Sequence, residues 1–136
     1  MEFHRLQDKL TAGQFVARRH YCITDKVFDY VEDEQLKLKK KDRKNCPTKA
    51  DMYYQLLISG LEHADKVTFQ NLPELHKVRI KIGKPINEQL LDIQARIVAG
   101  KLKAQLRHYS NESERTITIF SVAVCLMEAA IDNQTK

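Results

Sequence analysis

Residues 77–82 alternate strictly between cationic and apolar side chains. The cationic residues are Lys77, Arg79 and Lys81, and the apolar residues are Val78, Ile80 and Ile82. Because side chains two positions apart share one face of an extended chain, this alternation predicts a β-strand with one apolar and one cationic face. Such a strand needs a partner, since its backbone donors and acceptors must be paired. The same pattern also fits an ordinary edge strand that lysines protect from aggregation.

A weaker copy of this strand lies earlier in the chain. Around residues 18–23, one face carries Arg19, Tyr21 and Ile23, and the other carries Arg18, His20 and Cys22. The copy is poorer because an arginine falls on the face that would be buried. It nevertheless predicts a second strand that is available for pairing.

Two helical patterns follow each predicted strand. In the first copy, one helix runs from about Asp25 to about residue 41, and a second runs from Thr48 to about residue 64. In the second copy, one helix runs from Ile86 toward residue 109, and the last runs from Ser113 to about residue 131. We therefore predict an arm over residues 1–14, a first unit over 15–64, a linker over 65–76, a second unit over 77–131 and a tail over 132–136.

Charge is concentrated in one part of the chain. The whole chain of 136 residues carries a net charge of +5, and residues 77–110 alone hold eight basic residues against two acidic ones. A focused positive charge permits nucleic-acid binding without requiring it. A further basic cluster over residues 37–44 is either a solvated helix end or a phosphate-contacting patch.

Other classes of protein are disfavoured by what the sequence lacks. It has no signal-peptide pattern, and its most apolar run, residues 119–131, is too short to span a membrane. Its three cysteines form no zinc or disulfide pattern, so we expect a cytoplasmic protein without a metal. No glycine-rich phosphate loop, catalytic carboxylate pair or nucleophile motif is present, so we expect neither a cofactor nor enzymatic activity.

The order strand, helix, turn, helix resembles the ribbon-helix-helix superfamily of the MetJ and Arc repressors. Residues 21–31 and 47–57 carry the resemblance in the first unit, and the strand of residues 77–82 carries it in the second. Two copies in one chain look similar to TraY-like conjugation proteins, and AcaB-like plasmid-transfer activators are another possible relative. The resemblance implies a mainly α fold with a short β-ribbon, whose two antiparallel strands enter the DNA major groove. It also implies a sequence-specific activator or repressor of a conjugative plasmid or other mobile element.

Candidate DNA-binding residues follow from this resemblance and from groove chemistry. Outward cations on a ribbon donate to guanine O6 and N7, which singles out Arg79 and Lys81, then Lys77, and from the first strand Arg18 and His20. The superfamily also clamps the DNA backbone at a helix start, where free N–H groups suit a phosphate. That role transfers by position to Thr48 and Lys49, and more weakly to Ser113 and Arg115. Cys22 departs from the family, which usually has a longer polar residue at that outward position.

The sequence leaves two questions of assembly and function open. Extended, the twelve-residue linker spans about 40 Å, so the two strands of one chain are able to pair and form a pseudo-dimer. In the alternative, each strand pairs with its copy in a homodimer. The alternative function is a protein-interaction module, antitoxin-like or a phage-type inhibitor, whose last helix and the helix from Ile86 bind a partner protein.

Overall fold

The computed structural model describes Phe3 and residues 19–70, 72, 75–102, 104–105 and 117–134. These residues form a mainly helical protein with two small sheets. In chain order the elements are β1 (Arg19–Ile23), α1 (Asp25–Lys41), α2 (Lys49–Leu61), β2 (Phe69–Gln70), β3 (His76–Ile80), α3 (Lys84–Val98), β4 (Ala104–Gln105) and α4 (Ile119–Gln134). The expectation of a mainly α protein with a short antiparallel pair of strands is confirmed.

The antiparallel ribbon joins the two halves of one chain. β1 pairs with β3 in a register that places Tyr21 opposite Val78, and Leu75 extends the pairing through a 2.9 Å hydrogen bond from its N–H to the Ile23 carbonyl. β3 begins one residue earlier and ends two residues earlier than the alternation suggested. Of the two pairings that the sequence allowed, the intrachain one is present.

The first two helices begin where their capping residues predicted. Thr24 caps α1 and accepts from the Val27 N–H, and α1 ends at Lys41 as expected. At α2, the Asp51 N–H donates to Thr48 Oγ1 at 3.1 Å, and the Thr48 N–H donates to an Asp51 carboxylate oxygen at 3.3 Å. This reciprocal pair is the capping box predicted from the sequence.

The third helix differs from its prediction at both ends. It begins at Lys84, with Pro85 in the first turn, where the fixed φ of proline favours a helix start. It ends at Val98 and does not continue toward residue 109, because Gly100 adopts a left-handed conformation with φ of 76°. A glycine in this conformation commonly terminates a helix. Ser113, the predicted start of the last helix, lies outside the described residues.

The segment predicted as a linker contains regular structure. A turn of 3-10 helix covers Ala64–Lys66, and β2 follows it. β2 pairs in parallel with β4, and its Phe69 is completely buried. This segment therefore contributes a large side chain to the core as well as connecting the two strands of the ribbon.

The core lies between the ribbon and the four described helices. α4 is buried nearly all round over residues 121–127, and α2 packs closely against it. Phe3 is buried and meets Tyr30 edge to face, with ring centroids 6.4 Å apart. None of the helices in the described ranges combines the length and the apolar composition needed to cross a bilayer.

Candidate nucleic-acid interface

The outer face of the ribbon consists of His20 and Cys22 from β1 and Lys77 and Arg79 from β3. His20 lies opposite Arg79, and Cys22 lies opposite Lys77. His20, Lys77 and Arg79 are exposed, and Cys22 is half-buried. Since directly opposite residues of an antiparallel pair share a face, the four side chains form one surface that the fold leaves uncovered.

The inner face of the ribbon is apolar and is sealed against the helices. Tyr21, Ile23 and Ile80 are almost completely buried, and so is Ile82 just beyond β3. The ring of Tyr21 meets Phe120 of α4 edge to face, with centroids 5.1 Å apart. A one-residue slip of register would expose this set, so burial of the inner face fixes which residues point outward.

Contacts at both ends of the second strand anchor it to the first unit. At its start, His76 Nε2 lies 2.5 Å from an Asp25 carboxylate oxygen, and the His76 ring stacks on Phe28 with centroids 4.1 Å apart. Beyond its end, the Gly83 N–H donates to the Tyr54 hydroxyl at 3.2 Å. The outer face therefore sits on a support that is fixed to α1 and α2, as a preformed recognition surface requires.

The cations of the outer face have no acidic partner within the described part of the chain. Among the residues that the structure describes, no ion pair or hydrogen bond engages the side chain of Lys77 or Arg79. Lys81, which follows β3, is half-buried and takes part in an interaction within the protein. Lys77 and Arg79 are thus the two predicted cations most available to an external anion.

The predicted phosphate site at the start of α2 is occupied in part by the protein itself. Thr48 caps the helix, and the Asp51 carboxylate lies at the same helix start. The Lys49 ammonium lies 2.6 Å from an oxygen of Glu32, in a pair that is partly exposed. A DNA phosphate near Lys49 would therefore compete with Glu32, although exposed pairs of this kind are weak.

The turn that leads into α2 is held by Asp42. Its carboxylate accepts from the Asn45 side-chain amide at 2.9 Å and from the N–H groups of Lys44 and Asn45. The Asn45 side-chain hydrogen bond is the main cause that lowers the pKa of the Asp42 carboxyl, assisted by the two backbone bonds. The ionised Asp42 side chain, which accepts these hydrogen bonds, therefore stabilises the turn between α1 and α2.

Some predicted residues lie outside the described part of the chain, and one candidate was missed. Arg18, Ser113 and Arg115 are among the residues that the structure does not describe. In the second unit, Thr118 Oγ1 accepts from the Ser121 N–H at 3.1 Å at the start of α4, as Thr48 does for Asp51. Sequence analysis overlooked Thr118, although a threonine three residues before Ser121 is a recognisable capping signal.

The described ranges contain no group of three or more His, Cys, Asp or Glu side chains placed to hold a metal ion. The surface is therefore described by its shape, its rigid support and two cations, Lys77 and Arg79, that form no ion pair with any described residue.

Comparison of the chain with protein-family models, with curated proteins and with solved structures finds no match. Fold and local geometry are therefore the basis on which a function is inferred.

Proposed function

We propose that this chain is a sequence-specific regulator that binds double-stranded DNA through a tandem ribbon-helix-helix fold. The outer face of the ribbon enters the major groove, and the starts of α2 and α4 approach the phosphate backbone. Association with a conjugative plasmid or another mobile element, and action in the cytoplasm, belong to the same proposal and rest on the family resemblance.

The observation that carries the proposal is a pair of strand cations, Lys77 and Arg79, whose side chains have no ion-pair partner among the described residues. Lys77 and Arg79 point away from the core on a strand whose opposite side is buried. An arginine donates in bidentate fashion to guanine O6 and N7, and lysine donates to the same edge. Two exposed cations on a fixed strand are therefore able to donate to an anionic or polar partner outside the protein.

The dimensions of the ribbon agree with those of the groove. Paired strands lie about 4.8 Å apart, and the major groove is about 12 Å wide and admits a two-stranded ribbon. The inner face, packed on Phe120 and the helices, keeps the ribbon from bending away from the groove. Recognition therefore needs little ordering of the protein on binding.

The test compares wild type with Lys77→Ala/Arg79→Ala by fluorescence anisotropy, using a labelled random-sequence duplex over a series of salt concentrations. We expect wild-type affinity to fall steeply with salt because bound cations release counterions from DNA. The double variant should bind about tenfold or more weakly and with a shallower salt dependence, since two fewer cations release counterions from the DNA on binding.

The control is Arg96→Ala/Lys101→Ala, which removes the same formal charge from the far end of α3, where Arg96 pairs with Asp92 at 3.0 Å. Arg96 lies twelve residues beyond Lys84, or about 18 Å along the helix axis, and both control residues are exposed. This variant should retain nearly all of the wild-type affinity. Equal losses of DNA affinity in the two double variants would show that only the net charge of the protein matters. Weak, salt-insensitive binding by wild type would contradict the proposal.

A second candidate function, a protein-interaction module, is favoured by one surface. Leu91, Ala95 and Val98 lie on one side of α3, and Leu91 and Val98 remain 46% and 67% exposed. α4, which sequence analysis also considered as a partner surface, is instead occupied by the core. Under this alternative, Leu91→Ser/Val98→Ser would abolish capture of a stoichiometric protein partner and leave DNA binding unchanged.

A further inference from the structure

The ribbon has an approximate two-fold axis that passes between His20 and Arg79. These two residues lie opposite each other, and each stands four positions before the N-cap residue of the following helix, Thr24 or Gly83. The buried pairs obey the same relation, since Tyr21 corresponds to Ile80 and Ile23 to Ile82, and all four are almost fully buried. The two strands are thus equivalent in position and in packing.

The outward residues do not follow this symmetry. At the axis, an imidazole (His20) stands where the other strand has a guanidinium (Arg79). Two positions further on, the thiol of Cys22 corresponds to the ammonium of Lys81. A thiol is only a weak hydrogen-bond donor, whereas Arg and Lys are strong donors that favour guanine.

A ribbon made by two identical chains repeats every base contact on both sides of its axis, so it reads a palindromic site. The strands of this ribbon belong to one chain, so each position has its own side chain. We propose that a single chain recognises a non-palindromic duplex site, in which the guanine contact at the centre is made by Arg79 on one side of the axis only. This inference rests on the proposed function and specifies the class of DNA that the ribbon accepts.

The test begins with selection of binding sites by the wild-type chain from a library of duplexes that carry a random central segment. We expect a selected motif that differs from its own reverse complement. Two symmetrised duplexes are then made by repeating either half of the motif as an inverted repeat. Both should bind about tenfold or more weakly than the selected site, because each contains a half that one strand of the ribbon does not match.

A ribbon with equalised strands provides the reciprocal measurement. His20→Arg/Cys22→Lys gives the first strand the side chains that the second has at the equivalent positions. His20 is exposed and Cys22 half-buried on the outer face, so the inner packing is left intact. This variant should prefer the symmetrised duplex built from the Arg79 half over the wild-type site, a reversal of the wild-type order.

The outcomes distinguish failure of this inference from failure of the proposed function. A palindromic motif from the wild-type chain, or equal affinity for the selected and symmetrised duplexes, would overturn the inference and leave the proposed function standing. No enrichment above the starting library would contradict the proposed function and the inference with it. If the equalised variant does not fold, the wild-type motif and the two symmetrised duplexes still decide the question.

Discussion

Tyr53 of α2 is a buried residue whose hydroxyl has no hydrogen-bond partner among the described residues. Burial, and to a lesser degree the charge of the nearby Glu32, raises the pKa of Tyr53 well above its usual value. The neutral phenol is therefore strongly favoured in the folded state. An unfolded chain releases the same proton near pH 10, so folding and the ionisation of Tyr53 are linked.

We expect Tyr53→Phe to be nearly neutral for stability at pH 7, because no partner is left unsatisfied when the hydroxyl is removed. Above pH 10 the unfolded wild type loses a proton that the folded state retains, so wild-type stability falls with rising pH. Through this one group the free energy of unfolding falls by at most about 1.4 kcal/mol for each pH unit. Tyr53→Phe should not show this decrease. Urea unfolding at pH 7 and above pH 10 measures both effects.

Tyr54 provides the matched control, since its hydroxyl accepts the hydrogen bond from the Gly83 N–H. Tyr54→Phe should cost about 1–2 kcal/mol at pH 7 by leaving that buried donor unpaired. A substantial loss of stability in Tyr53→Phe at pH 7, or an alkaline decline equal to that of wild type, would contradict the assignment.

At the scale of elements, α2 approaches α4 closely at Gly60. A Cβ atom placed on Gly60 would lie 2.2 Å from the backbone oxygen of Leu126 and 2.8 Å from the Leu126 Cβ. Since the nearest atoms belong to the backbone, a rotamer change cannot relieve the contact. The absence of a side chain at Gly60 thus sets the distance between the two helices that join the halves of the protein.

Gly60→Ala should destabilise the protein by about 2–3 kcal/mol through overpacking, although alanine in a helix is otherwise better than glycine by about 1 kcal/mol. Chemical denaturation measures the difference. Ser59→Ala, the neighbouring half-buried position on the same helix, should change stability by no more than about 0.5 kcal/mol. A Gly60→Ala protein as stable as wild type would show that α2 and α4 do not pack this closely.

The elements that sequence analysis predicted best are those with local signals. Thr24 and Thr48 start their helices because a side-chain oxygen close in sequence satisfies free N–H groups. The exposure of Lys77 and Arg79 followed from strict alternation, which needs no knowledge of the partner strand. These features were predictable since neighbouring residues determine them.

Most of the features that were missed depend on distant parts of the chain, and only the end of α3 has a local cause. β2 has only two residues, too few for any periodicity, and it is defined by pairing with β4 and by contacts between Gln70 and Cys125. The apolar pattern of α3 continues through Leu102 and Leu106, so periodicity overestimated the helix that Gly100 ends. The pairing of His20 with Arg79 could not be predicted, because it depends on the register between β1 and β3.

At the scale of the whole molecule, the ribbon is complete within one chain. β1 and β3 pair with each other, and α2 packs on α4 in the same chain. We therefore expect the free protein to sediment as a monomer, with a thermal unfolding midpoint that does not change over a hundredfold range of protein concentration. A midpoint that rises with concentration would indicate that folding is coupled to association and would favour the homodimeric arrangement.

The intrachain ribbon also determines the order in which the protein is able to fold during synthesis. β1 leaves the ribosome before both helices of the first unit, yet its partner β3 is made only after them. Until then the backbone groups of β1 have no partner strand, and such edges favour association between nascent chains. The time needed to translate residues 24–80 therefore sets how long the edge of β1 stays unpaired in each new chain. A chaperone would be of most use during that time.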